Sequence, residues 1–237
     1  MYRLLEEQDM VKEVFGYVGA CISTIFFISP VVPYLKLIRE EIKVSETPGV
    51  LLICNFFNCL LWKNYGLLLD LTQVIVANGV GGAITLIFIT IFLIHIVDRK
   101  FWYSFLLTLG LMAAVAGFDF LFYLLVPADI IGNIAFGFNI LIYAAPGEKL
   151  WTVIKTGNYN LIPIYSTLAG IVSSVSWMIY GIYLNDWRIY VPNGLGIVFS
   201  IIQIIIYLIY KKKSKNQSDE EEKPKMVETE ENNEQKE

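Results

Sequence analysis

The sequence predicts an all-α membrane protein of seven transmembrane helices, arranged as two parallel three-helix repeats joined by a linker helix (3+1+3). Three observations carry that prediction: a composition too apolar for a soluble domain, seven long stretches nearly free of charge, and distinctive residues that recur 115 positions apart. The 237 residues are 56% hydrophobic and 17% charged, with a mean hydropathy of +0.57. An ordinary soluble domain has roughly 45–50% and about 25%, so the composition argues against a soluble enzyme. Charge is also concentrated at one end. Of 22 acidic and 18 basic residues, 9 and 7 lie in the last 27 positions, so the net charge of −4 mainly describes a tail and argues for no nucleic-acid partner.

The elements follow in order. Residues 1–13 mix Glu6, Glu7, Asp9 and Glu13 with Arg3 and Lys12 and are expected to be an extracellular or lumenal N-terminus. The apolar span after them is too long for a signal-peptide core and is expected to be retained. A bilayer core about 30 Å thick takes roughly 20 apolar residues per helix, which places spans at 14–35, 48–69 and 71–97 and makes 14–97 the first repeat. Residues 101–126 form the linker helix. Spans at 130–154, 161–184 and 189–210 make 130–210 the second repeat. The tail, 211–237, has almost no apolar residues and is expected to be a disordered cytosolic segment. Its first residues, KKKSK, stand where a helix stops at anionic headgroups.

Orientation follows from lysine and arginine, which accumulate on the cytosolic side. The first, third and fifth connections and the start of the tail hold Lys36, Arg39, Lys43, Arg99, Lys100, Lys149, Lys155, Lys211, Lys212, Lys213 and Lys215. The other side holds only Arg3, Lys12, Lys63 and Arg188. The N-terminus is therefore expected outside or in a lumen and the C-terminus in the cytosol, with the plasma membrane as the expected location and an endomembrane as the alternative. Cys21, Cys54 and Cys59 lie in apolar stretches without metal-ligand spacing, so neither a disulfide framework nor a metal or other cofactor is expected.

The offset of 115 aligns Pro48 with Pro163, Trp62 with Trp177, Tyr65 with Tyr180, Gly66 with Gly181, Asn78 with Asn193, Gly79 with Gly194 and Gly81 with Gly196. Aliphatic matches are cheap in such a chain, whereas Trp, Pro, Tyr and Asn matches at one offset are not. Each copy crosses the membrane three times, so a fourth span between them restores the same orientation. Parallel repeats about an axis along the membrane normal are an architecture of secondary transporters. Matched residues should then face each other across one path.

Asn78 and Asn193 each offer an acceptor and a donor pair, which suits a polyhydroxylated ligand without charge, and an amide in the bilayer is costly without partners. Trp62 and Trp177 supply flat apolar faces for a sugar ring. Pro30 and Pro33, Pro48, Pro146 and Pro163 gather at the cytosolic ends, where lost backbone donors let helices bend and gate that face. Tyr65 and Tyr180, followed by Asp70 and Asp186, are candidates either to close the outer mouth through a hydrogen-bonded plug or to anchor the helices at the interface. Gly79, Gly81, Gly194 and Gly196 are expected to permit close helix packing. Asp119, alone in mid-span, is read as a hydrogen-bonded structural carboxylate, although its position makes a proton relay worth testing.

YAAPGEKLWTVIKT, SWMIYG and VPNGLG in the second half carry a resemblance to the SWEET (MtN3/saliva) sugar-transporter family, which extends over about residues 14–210. The resemblance implies a bidirectional facilitative carrier, not an enzyme, that moves mono- or disaccharides down their gradient by alternating access. It implies substrate asparagines at Asn78 and Asn193 and a pocket tryptophan at Trp177. A cytosolic proline tetrad is implied at Pro30, Pro48, Pro146 and Pro163, with an outer gate around Tyr65 and Asp186. Pro33 is extra, so either Pro30 or Pro33 fills the first tetrad place. Trp62 stands where many plant members carry a smaller residue, and the narrower pocket favours a monosaccharide. The expected partners are a small neutral sugar and membrane lipids, with self-association left open.

Two competing functions make different demands. A proton-coupled amino-acid carrier of the PQ-loop type needs Pro-Gln after spans 1 and 5, but Pro30 precedes Val31, Pro33 precedes Tyr34 and Pro146 precedes Gly147. A seven-helix receptor needs no repeat and is disfavoured by the duplicated Trp and Asn. An intramembrane enzyme would need a nucleophile or metal constellation, and no such arrangement stands in the spans.

Overall fold

The structure is a computed structural model that describes residues 2–47, 49–97 and 101–234. Every regular element in it is helical: α1 Tyr2–Ile28, α2 Val31–Ile38, α3 Gly49–Leu68, α4 Thr72–Val97, α5 Phe101–Leu125, α6 Ala128–Ala144, α7 Gly147–Thr156, α8 Ile164–Tyr183 and α9 Trp187–Glu234. Single 3₁₀ turns, Val44–Glu46 and Tyr159–Leu161, precede α3 and α8. The seven predicted spans correspond to α1 with α2, α3, α4, α5, α6 with α7, α8, and α9.

Five segments among the described residues are long and apolar enough to cross a membrane: Glu6–Ile38, Thr72–Ile96, Phe105–Leu125, Ala128–Thr156 and Trp187–Asn216. The other two, α3 and α8, have 20 residues each but are more polar. Their polar residues are packed against neighbouring helices, since Asn58, Asn64, Thr167, Ser174 and Ser176 are all buried, with Asn64 against α5.

The first and fifth spans are each broken at a proline. Pro30 (φ −70°, ψ −3°) separates α1 from α2, and Pro146 (φ −63°, ψ −13°) separates α6 from α7. Proline lacks the N–H that would continue the ladder but suits the entry to a new helix. Pro33 lies within the first turn of α2, so Pro30 is the structural equivalent of Pro146. Pro48, with Arg99 and Lys100, lies outside the described residues. At the other extreme α9 continues to Glu234, into the tail where composition favours disorder. Lys, Glu and Gln are good helix formers, and extending an established helix needs no new nucleus.

Six helices form a ring. Within the first repeat α4 lies between α1 and α3, and within the second α9 lies between α6 and α8; the ring closes where α1 meets α8 and α3 meets α6. The linker α5 packs outside it, on α4 and α3. Asp119 of α5 is ion-paired with Lys63 of α3 and accepts a 2.8 Å hydrogen bond from Asn64. This matches the structural reading of Asp119: an intramembrane carboxylate placed beside its counter-charge.

The repeat is reproduced in local geometry. Asp70 and Asn185 both adopt φ 55°, a left-handed conformation that Asp and Asn tolerate better than most residues. Each ends its helix with a six-residue backward bond, Leu71 N–H to Gly66 O at 2.8 Å and Asp186 N–H to Gly181 O at 2.9 Å. Gly181 is required there, because a Cβ would sit 2.8 Å from the backbone Tyr190 N of the returning helix, and a Cβ at Gly66 would crowd Ile75 Cγ1 at 3.0 Å. The expectation for the other paired glycines holds in part. A Cβ at Gly81 or Gly196 would run into Phe27 or Tyr143, whereas Gly79 faces open space and Gly194 meets only Met178 Sδ at 3.7 Å.

Candidate functional site

A cavity of about 150 Å³ lies inside the ring, roughly ten times what one water molecule needs on that measure. All six ring helices line it, and Trp62, Trp177, Asn78 and Asn193 are all in its wall. The structure therefore brings the four predicted substrate residues together. No Asp, Glu, Lys or Arg stands in that lining among the described residues.

The paired residues keep paired geometry. Asn78 Nδ2 donates to Val74 O at 2.9 Å, and Asn193 Nδ2 donates to Ile189 O at 2.7 Å. One amide hydrogen thus fixes each side chain against its own helix. Tyr143 Oη donates to Asn193 Oδ1 at 3.3 Å. Each tryptophan stands edge-on to the tyrosine one turn away, with centroids 5.5 Å apart for Trp62–Tyr65 and 5.4 Å for Trp177–Tyr180, both at 89°. Trp177 Nε1 donates to Ser23 Oγ at 2.9 Å, which holds the indole across the repeat boundary.

Four further polar residues complete the wall. Ser23 of α1 and Ser173 of α8 share a 3.0 Å hydrogen bond, and Asn58 Nδ2 of α3 donates to Asn139 Oδ1 of α6 at 2.9 Å. These bridges are equivalent under the repeat, because Ser23 matches Asn139 at an offset of 116 and Asn58 matches Ser173 at 115. Asn58 Oδ1 is buried without a hydrogen-bond partner among the described residues. It is an acceptor for which a ligand hydroxyl is the natural complement.

Sequence reasoning missed this second set because its pairs are not identical: Asn58 matches Ser173 and Ser23 matches Asn139. Pro30 and Pro48 are 18 residues apart but Pro146 and Pro163 only 17, so the first helices of the two repeats match at 116 and a search at 115 passes over them. A search that counts Ser and Asn as equivalent polar residues and allows this one-residue shift would align both pairs.

One end of the cavity is sealed. Trp62, Tyr65 and Val74 of the first repeat pack with Ile131, Ala135, Tyr180 and Ile189 of the second in one buried cluster. Tyr65 Oη donates to Asp186 Oδ2 at 2.5 Å. Tyr180 Oη donates to Gln73 Oε1 at 3.2 Å. Arg188 joins Asp186 at 3.9 Å to Asp129 at 2.8 Å, and its Nε donates to Asn133 at 2.9 Å. Asp70 is not in this group. It is exposed, its left-handed turn is equivalent to that of Asn185, and Asp186 therefore has no acidic counterpart in the first repeat.

At the opposite end the repeats are less closely joined. The buried cluster there, Tyr34, Leu37, Leu52 and Phe88, belongs to the first repeat alone. A second cavity, about 120 Å³, separates Leu51 from Pro146, Leu161 and Pro163. Two of the predicted hinge prolines therefore border open space at this end, and Pro30 breaks α1 from α2.

Comparison with known proteins agrees with this architecture. The profile of a family described as sugar efflux transporters for intercellular exchange matches residues 13–100 and 129–215, which are the two repeats without the linker. The chain is 33% identical over 217 residues to bidirectional sugar transporter SWEET5 of Arabidopsis thaliana, covering 88% of this chain and 90% of that one. It is 34% identical over 216 residues to bidirectional sugar transporter SWEET1a of Sorghum bicolor, covering 86% and 79%. A solved 3.7 Å structure of a eukaryotic SWEET transporter superposes with a TM-score of 0.74 at 24% identity, over 86% of this chain and 99% of that one, and shows the shared fold. The chain belongs to the SWEET (MtN3/saliva) family.

Proposed function

We propose that this protein is a bidirectional facilitative carrier that moves a small neutral sugar down its gradient by alternating access. The observation that carries the reading is the cavity: a wall of duplicated Trp and Asn with Ser and Asn bridges and no charged side chain among the described residues. Such a wall offers ring faces for the CH side of a sugar and amides for its hydroxyls, with no fixed charge to favour an ion. The names of the relatives support the substrate class.

Within this reading Asn78, Asn193, Trp62 and Trp177 hold the sugar, and Asn58 accepts from one of its hydroxyls. The sealed end with Tyr65, Tyr180 and Asp186 is assigned to the outer or lumenal side together with the N-terminus, the lysine-rich end to the cytosol, and the protein to the plasma membrane or an endomembrane, on the lysine and arginine bias. The state described here is then inward-facing. Pro30, Pro48, Pro146 and Pro163 act as the hinges of the cytosolic end.

Uptake of labelled glucose, fructose and sucrose into proteoliposomes, with and without a pH gradient, tests the function. Saturable uptake of at least one sugar, unaffected by the gradient and lost in Asn193→Ala, is expected. Well-folded protein that moves none of them overturns it.

A further inference from the structure

The sealed end holds two closures that are equivalent under the repeat. In one, Tyr65 of the first repeat reaches Asp186 at the start of α9. Gly132 of α6 lets the ring lie against Arg188, since a Cβ there would sit 2.6 Å from Tyr65 Cε2 and 2.7 Å from Arg188 Cδ. In the other, Tyr180 of the second repeat reaches Gln73 at the start of α4. Gly16 of α1 plays the same part, since a Cβ there would sit 2.8 Å from Gln73 Cγ and 2.9 Å from the Tyr180 ring. The correspondence is residue by residue: Gly16 with Gly132 at 116, and Tyr65 with Tyr180 and Gln73 with Arg188 at 115.

The two differ in chemistry. Arg188, 19% exposed, ties the first closure to Asp129, Asn133 and Asp186, an ionic set open to solvent at its edge. Tyr180 and Gln73, at 1% and 8% exposure, are buried and neutral. A neutral buried hydrogen bond is not weakened by salt screening as an exposed ion pair is. Breaking it leaves a buried donor and acceptor unmatched.

We infer that Gln73, packed under Gly16, is the acceptor of a second, neutral latch that closes this end independently of the Tyr65–Asp186–Arg188 latch. Gln73 is a positioning residue: it touches no substrate, and it biases the carrier toward the state closed at this end. The inference rests on the alternating-access reading, because a latch matters only if this end opens.

The test reads opening directly. In full-length protein with Cys21, Cys54 and Cys59 replaced by alanine, Ser173→Cys in the cavity wall is labelled on intact cells with a membrane-impermeant maleimide added outside. Gln73→Leu and Tyr180→Phe should each raise the labelling rate about five-fold, the population shift expected from losing one such bond. The double variant should match either single variant, since both remove the same contact. Combined with Arg188→Gln, the effect of Gln73→Leu should multiply. Tyr180→Phe removes only a hydroxyl and keeps the test valid if Gln73→Leu fails to fold. Unchanged labelling in Tyr180→Phe, single effects that multiply in the double variant, or no added effect over Arg188→Gln overturns the inference. Labelled-glucose flux through the variants that retain Ser173 reports separately on the sugar reading, so loss of one result leaves the other interpretable.

Discussion

Asn193 shows how the fold orients a residue proposed to bind the sugar. Its amide donates to Ile189 O and accepts from Tyr143 Oη, so the side chain is held in one orientation before any ligand arrives. That preorganisation lowers the entropy lost on binding. Asn193→Ala is expected to reduce sugar transport at least about ten-fold, equivalent to about 1.4 kcal/mol, while the protein still reaches the membrane; wild-type uptake by this variant would remove Asn193 from the pocket. Asn58 differs, because its Oδ1 is buried with no partner among the described residues. Asn58→Leu should weaken the apparent sugar affinity about five-fold, as expected for losing one neutral hydrogen bond of about 1 kcal/mol, and a dose-response series of uptake reads it. Asn193 was legible in the sequence because it is duplicated as Asn. Asn58 was not, because its partner in the second repeat is Ser173 and a search for identical pairs cannot see it.

At the scale of elements, six helices form the ring around the cavity and one, α5, packs against its outside. The breaks at Pro30 and Pro146 lie at equivalent places in the first helix of each repeat, and Pro146 borders the gap at the less tightly joined end. Pro146→Ala restores a backbone donor and favours one continuous helix from α6 into α7. Slower sugar exchange with near-normal equilibrium binding is expected, and an unchanged exchange rate would make the proline purely structural. The linker α5 is anchored by Asp119 to Lys63 and Asn64, with both charged side chains mostly shielded. Lys63→Met leaves the carboxylate without its counter-charge and should cost about 1–3 kcal/mol, reduced from the fully buried case by their partial exposure. Lys63→Met with Asp119→Asn should recover most of that loss, and thermal unfolding in detergent distinguishes the two. The two-part first and fifth spans escaped the sequence reading because hydropathy is continuous across Pro30 and Pro146; only backbone geometry locates the break.

For the whole molecule, the decisive feature is a ring whose two repeats meet along α1–α8 and α3–α6. Closure at one end and separation at the other are what a rocking of the two halves about the cavity, the proposed alternating-access motion, requires of one of its end states. Since the cavity wall has no charged side chain among the described residues, sugar flux should respond to neither membrane voltage nor a pH gradient. A voltage-dependent initial rate at fixed sugar gradient would show charge moving with the substrate.

By itself, the sequence determined the class, the repeat and the identity of the central Trp and Asn pairs. It could do so because bilayer thickness dictates apolar length and because duplication leaves rare residues at a constant offset. Only the tertiary structure decided which polar residues meet across the repeats: Ser23 with Ser173, Asn58 with Asn139, Tyr180 with Gln73. It also separated Asp186, hydrogen-bonded to Tyr65, from Asp70, exposed on its turn. These contacts span 81 to 150 positions of chain, and no local pattern encodes them. They arise from the way two copies of one three-helix unit close against each other, which periodicity and composition do not describe.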